Sequence, residues 1–211
     1  MKREEKNAIS RQRILDAALK EFSEKGYGGA SLNTVCAENA ISKGIIYHYF
    51  KDKDELYLLC VTDCFNTLTA YMKAMQEDVS ATIERRLSAY FDARLRFFAE
   101  NPLYLGVFLD VVLNPPAHLA MQIANARDAF DALNISVLTA LLESAPLRKG
   151  LSAAAVTEDF RMYMDFFNAR FRVALADAVT PEDALREHEE RSHRQLSILL
   201  HGVLEHQDEK D

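Results

Sequence analysis

The residues of this 211-residue chain with the types and spacing to do chemistry lie in one stretch, Ser42-Lys-Gly-Ile-Ile-Tyr-His-Tyr-Phe-Lys51. Read as a helix capped by Ser42, it sets Ile46 and Phe50 four apart on one face, where they can pack on Leu19, Phe22 and Val35. Lys43, Gly44, Tyr47 and His48 are left to point outward. A Lys, a Tyr and a His beside a residue with no side chain serve poorly as core packing. They serve well on a surface that meets a DNA groove: Lys gives a point charge, Tyr and His reach phosphates or base edges, and glycine permits close backbone approach. The chemistry is recognition, not bond making.

The elements that must position this stretch are legible upstream. Ile9, Ile14, Leu15, Ala18, Leu19 and Phe22 recur at helical spacing, and Gly26 is placed to stop that first helix. Ser31 caps a short helix predicted over 32–39, and Ser42 caps the next, over 43–49. The short link forces those two helices to cross steeply, which is a helix-turn-helix signature. Ser31 and Ser42 also bring backbone N–H groups to where phosphate oxygens would accept them. Longer helices are predicted over 53–78, 82–100, 103–113, 117–144, 157–178 and 181–206, broken at Asn101-Pro102, Asn114-Pro115-Pro116, the stretch around Pro146 and Gly150, and Thr180-Pro181. No window alternates as a strand does. The fold class is all-α, a three-helix helix-turn-helix unit followed by a helical domain, about nine helices in total.

Arg13-Ile-Leu-Asp-Ala-Ala, Phe22, Lys25-Gly26-Tyr27, Ala30-Ser31-Leu32, Ile41-Ser42-Lys43-Gly44, Tyr47-His48-Tyr49-Phe50-Lys51 and Lys53-Asp-Glu-Leu56 together resemble the TetR family of transcriptional regulators. The resemblance covers about a quarter of the chain. It implies an all-α homodimer with an N-terminal DNA-binding unit (residues 1–56) and a ligand-binding and dimerisation domain (57–211). It implies that Lys43, Tyr47 and His48 meet the groove, that Thr34, Tyr49 and Lys53 touch phosphates, and that Phe50 is core. Where the family often has Ala-Gly in the turn, this chain has Asn39-Ala40, and Asn39 is expected to take the left-handed conformation instead. Ile45 stands where the family often has Thr, offering an apolar contact, such as to a thymine methyl.

Fifteen of the 20 aromatic residues lie beyond residue 56. Polar residues set among them are candidate ligand-binding positions: Tyr90, Arg94, Tyr104, Asp110, His118, Arg127, Asn134, Tyr163 and Asn168. Arg94 paired with Asp110 or Asp165 reads equally as a buried ion pair. The apolar stripes of the last two helices, with Phe160, Phe167, Phe171, Leu185, Leu196 and Leu199, are expected at a homodimer interface, partly on the strength of the resemblance, with core packing inside one subunit as the alternative. A dimer also suits DNA, whose half-sites repeat about every 34 Å.

Charge and composition bound the rest. Residues 1–56 carry 10 Lys and Arg against 9 Asp and Glu, while the remainder carries 15 against 23, and Lys2, Arg3, Lys6, Arg11 and Arg13 face only Glu4 and Glu5 in residues 1–13, so an overall charge of -7 conceals a locally basic end. Three Cys, no apolar run near the roughly 18 residues of a membrane span, and a charged N-terminus without an apolar region lead to the expectation of a soluble cytoplasmic protein. Cys60 and Cys64 share a helix face and read first as small core residues, with a redox role as the alternative. His188 and His193 are five apart, as are His201 and His206, which is the wrong spacing for a metal pair on a helix. No nucleophile–base grouping is present, and Gly26-Tyr-Gly-Gly follows a helix, not a strand, so no enzyme, metal or cofactor is implied. The expected function is a repressor released from a pseudo-palindromic operator by a partly apolar small molecule. The alternative is the same fold answering to a protein partner, or acting as an activator.

Overall fold

A computed structural model describes residues 3–75, 79–174 and 180–204. These residues are helical, with no strand among them beyond an isolated bridge between Leu147 and Leu204. The helices are α1 (Arg3–Gly29), α2 (Leu32–Glu38), α3 (Lys43–Tyr49), α4 (Lys53–Ala74), α5 (Ile83–Glu100), α6 (Pro102–Leu113), α7 (Ala120–Glu143), α8 (Ala153–Ala174) and α9 (Pro181–Val203). A 3-10 turn, Ala117–Leu119, precedes α7.

The local signals account for most boundaries. Gly26 breaks helical geometry at φ 63°, so α1 bends there and closes with a last turn in which Ala30 N–H reaches the Gly26 carbonyl at 3.1 Å. Pro102 and Pro181 occupy first-turn positions, where their missing N–H costs nothing. Helix α8 begins earlier than its apolar period suggests. Ser152 accepts from Ala155 N–H at 3.3 Å, and the alanines that follow are strong helix formers. The expected helix ends at 76–78, 175–178 and 205–206 lie outside the described residues.

By packing, the chain forms two compact units. The first runs to Leu68 and also takes in Phe98–Asp128; the second holds Thr69–Phe97 and the chain from Ala129 on. This division differs from the one after residue 56 expected from the sequence, because α6 packs with the N-terminal helices. In the first unit, Phe22 meets Tyr57 edge-on at 5.1 Å, and Phe108 packs on Phe65 and Phe98. The core of the second is built from Leu87 and Phe91 of α5, Leu138, Leu141 and Leu142 of α7, Val156 of α8, and Leu196 and Leu200 of α9.

Candidate nucleic-acid interface

Helix α3 has seven residues, too few to persist alone, so its geometry comes from neighbours. Ser42 accepts from Ile45 N–H at 3.3 Å and closes the N-terminus. Ile46 is buried at 1% exposure and so is Phe50, which has left the helix to become its extended C-cap. The Arg11 guanidinium covers the Phe50 ring at 5.2 Å. These anchors leave Lys43, Gly44, Ile45, Tyr47 and His48 exposed, with Ile45 at 46% and Tyr47 at 52%. A methyl group built on Gly44 would meet no atom within 4 Å, so nothing inside the protein requires glycine there.

The turn ahead of α3 is held from α1. Arg13 donates to the Asn39 carbonyl at 2.6 Å, and Asn39 donates its side-chain amide to the Val35 carbonyl. The left-handed residue is Ala40, at φ 50°, not Asn39, at φ -112°. Asn39 uses its side chain to cap the last turn of α2, and the sharp bend falls one residue later. Glu21, buried in α1, accepts from Ser31 N–H at 2.9 Å and from Lys25, while Ser31 itself accepts from Asn33 N–H. Burial pushes the Glu21 carboxyl up, but Lys25 and the Ser31 amide outweigh it and hold it below its ordinary value. Arg13 and Glu21 went unread as positioning residues because their partners lie 26 and 10 residues away, outside any local period.

The residues expected on phosphates are placed unequally. Thr34 and Ser31 are half-buried and Ser42 is exposed. Tyr49 is half-buried, its ring edge-on to His48 at 5.0 Å and its hydroxyl reaching Asn7 Oδ1 at 3.2 Å. Lys53 is turned inward: its ammonium donates to the Ala30 carbonyl at 2.7 Å and lies 4.4 Å from the Tyr27 ring centre. Burial lowers its pKa against the opposing pull of Asp54, Asp110 and Glu21.

The nine candidate ligand residues divide between the units. In the first, Tyr104 donates to Asp63, Asp110 accepts from Tyr27 N–H and the Tyr57 hydroxyl, His118 approaches Asp54, and Arg127 overlies the Phe65 ring. In the second, Tyr90 donates to Asn134, Tyr163 stacks on Phe167, and Asn168 meets His188 Nε2 at 2.8 Å. Arg94 is buried on Glu189, not on Asp110 or Asp165, because Glu189 occupies the inward face of α9 beside it. A cleft of about 270 Å3 between α1 and α4 is lined by Arg11, Leu15, Asp16, Leu59, Cys60 and Asp63, among others, and by none of the nine.

Three of the expected dimer residues, Phe171, Leu185 and Leu196, are buried within the protomer itself. Phe160 and Leu199 pack half-buried on the second unit's core, and Phe167 stacks on Phe171. A helix presents its most apolar stripe to its own core first. Among the described residues, the exposed large apolar side chains of α8 and α9 are instead Met162, Phe166 and Ile198, at 54%, 64% and 60% exposure. Burial lifts the Cys60 thiol to about 12 and raises Cys64 as well, which keeps both as thiols near neutral pH. No cluster of His, Cys, Asp and Glu fit for a metal occurs among the described residues, and no single helix among them is long and apolar enough to cross a membrane.

Residues 14–60 match the family model described as "Bacterial regulatory proteins, tetR family". Over 68 residues the chain is 32% identical to the biofilm operon icaADBC HTH-type negative transcriptional regulator IcaR of Staphylococcus epidermidis, covering 32% of this chain and 37% of that protein. The chain spans between 37% and 54% of the length of the curated relatives at the head of the comparison. In fold it is similar to a TetR family transcriptional regulator from Chloroflexus aurantiacus, at TM-score 0.61 and 20% identity over 94% of this chain and 95% of that one. It is also similar to the transcriptional regulator FadR from Bacillus subtilis in complex with stearoyl-CoA, at TM-score 0.59 and 17% identity over 86% and 96% of the two chains.

Proposed function

We propose that this chain, which carries the TetR-family module over residues 14–60, is a homodimeric, ligand-responsive regulator that binds a pseudo-palindromic DNA operator, most directly as a repressor. The observation that carries the reading is the outer face of α3. Lys43, Gly44, Ile45, Tyr47 and His48 project from a helix anchored through Ile46, and the fold makes no internal use of that face. In a major groove, Tyr47 and His48 would meet base edges or phosphates, Lys43 a phosphate, and Ile45 a thymine methyl. The N-termini of α2 and α3, capped by Ser31 and Ser42, would present N–H groups to the backbone.

Repression is favoured by the similarity to a negative regulator, and a partly apolar effector by the fold's likeness to a stearoyl-CoA complex. Release would follow from a change in separation of the two recognition helices of a dimer. A difference of about 2–4 kcal/mol in effector binding between two states suffices for that. A second reading, control by a protein partner without a small molecule, draws on a specific observation: Arg94, Tyr90 and Asn134 already satisfy one another or Glu189 inside the protomer.

Selection of bound sequences from a random duplex library, at two salt concentrations, tests the reading; a pseudo-palindrome with salt-dependent affinity is the expected result. On that site, Tyr47→Ala should cost about 1–3 kcal/mol, and Lys43→Ala should lower the salt slope by about one. Both side chains are exposed, so thermal unfolding should be unchanged. Operator affinity that is indifferent to both substitutions would remove α3 from the groove.

A further inference from the structure

A half-buried carboxylate that contacts the N-terminal helices lies outside residues 14–60. Asp110 interrupts a run of α6 whose neighbours Phe108, Leu109, Val111 and Val112 are all buried hydrocarbon. Its Oδ2 accepts from Tyr27 N–H at 2.9 Å and from the Tyr57 hydroxyl at 2.7 Å. Its Oδ1 comes so close to Gly26 that a Cβ there would lie 2.6 Å away. Gly26 is also at φ 63°, where a side chain is strained, so the break in α1 and the seat of the carboxylate are one feature. Four residues earlier in α6, a Cβ on Gly106 would lie 2.2 Å from the Ser23 carbonyl oxygen. Helix α6 thus meets α1 backbone to backbone at Ser23, where a side chain on Gly106 would force them apart.

From Tyr27 the contacts run forward into the module. Its ring lies edge-on to Tyr57 at 5.0 Å and beneath the Lys53 ammonium, which holds the Ala30 carbonyl. The Tyr27 hydroxyl donates to Asp54, and His118 Nε2 stands 3.2 Å from both that hydroxyl and Asp54 Oδ2. Ala30 leads directly to Ser31, the cap of α2, and the turn after α2 aims α3.

We infer that Asp110 is a positioning residue for DNA recognition: by fixing the Gly26–Tyr27 break it makes α6 the reference against which α2 and α3 are aimed. The inference rests on the reading of α3 as the groove helix. Burial raises the Asp110 pKa above its ordinary value, although the Tyr57 hydroxyl, the Tyr27 amide and the Lys53 charge pull it down.

The test uses the full chain with Asp110→Ala, Asp110→Asn and Tyr57→Phe, the last removing a single donor. Affinity is measured for the selected operator and for an unrelated duplex, and amide hydrogen exchange is followed across α2, α3 and α9. Asp110→Ala should lose at least about tenfold in the ratio of specific to non-specific affinity, and exchange should quicken in α2 and α3 but not in α9. Asp110→Asn, which keeps an acceptor oxygen, should recover most of the ratio. Tyr57→Phe should fall between and serves if Asp110→Ala does not fold. A lower melting temperature with both the ratio and the α2–α3 exchange unchanged would reduce Asp110 to a stabilising role and overturn the inference. Loss of sequence preference in the unsubstituted chain would overturn the α3 reading and the inference with it. Intact wild-type preference with indifferent Asp110 variants would overturn the inference alone.

Discussion

Ala40 is the non-glycine residue at positive φ among the described residues, and it stands between α2 and α3. A Cβ in that region crowds the neighbouring carbonyl, at a cost of about 1–2 kcal/mol. Replacement by glycine relieves the crowding but frees the unfolded chain, so Ala40→Gly should stabilise by a net amount of about 0.5–1 kcal/mol. Thermal unfolding checks this, and a lower midpoint would mean the methyl group has a packing role. The two serine caps were readable in advance because an N-cap depends on residues two or three positions away. The left-handed residue was not. Asn39 has the better intrinsic preference, but its amide is taken by the Val35 carbonyl, and Arg13 from α1 pulls on its own carbonyl.

At the scale of the element, α9 shows how a helix can be polar in composition and still be held inside. His188, Glu189 and Ser192 are buried on the face that also carries Leu185, Leu196 and Leu200. Glu189 accepts from Arg94 of α5 through Nε at 2.7 Å, and it lies against His188, whose ring packs on Phe167 and Phe171 of α8. Burial raises the Glu189 pKa, but Arg94 and His188 overcome it and hold the carboxyl below its ordinary 4.5. A lowered carboxylate pKa contributes stability that is complete above the unfolded value and is lost as pH falls through the folded one. Unfolding measured from pH 7 downward should therefore show a decline beginning near 4.5 that Glu189→Gln diminishes. At neutral pH, Glu189→Ala should cost about 3–5 kcal/mol, because it strands the Arg94 charge. An effect under 1 kcal/mol, on the scale of an exposed pair, would show that water reaches the site. The sequence offered Asp110 and Asp165 as partners for Arg94; Glu189 lies 95 residues away, and only the packing of α9 against α5 brings it there.

For the whole molecule, the proposed reading of two half-sites depends on assembly. Phe166 and Met162 are one turn apart on the outer face of α8, and Ile198 is exposed on α9. If copies pair through these helices, Phe166→Glu should yield a folded monomer by sedimentation, with operator affinity lowered at least about a hundredfold as the second half-site is lost. A dimer that survives this substitution would place the interface elsewhere.

What the sequence determined by itself is what short-range physics decides. Helix periods, serine caps, prolines at N-termini and the break at Gly26, though not the helix end expected there, are settled over three to five residues, and with them came the all-α fold, the α2–α3 turn and the outward face of α3. Tertiary structure decided which chemically similar residues meet. It turned Lys53 inward to Ala30 and Tyr27, gave Arg94 to Glu189, seated Asp110 on the Gly26–Tyr27 break, and spent Phe171, Leu185 and Leu196 on the protomer's own core. A charged or aromatic side chain carries no mark of its partner. The partner is selected by how helices far apart in sequence pack together, and by the cost of leaving any buried polar group unmatched.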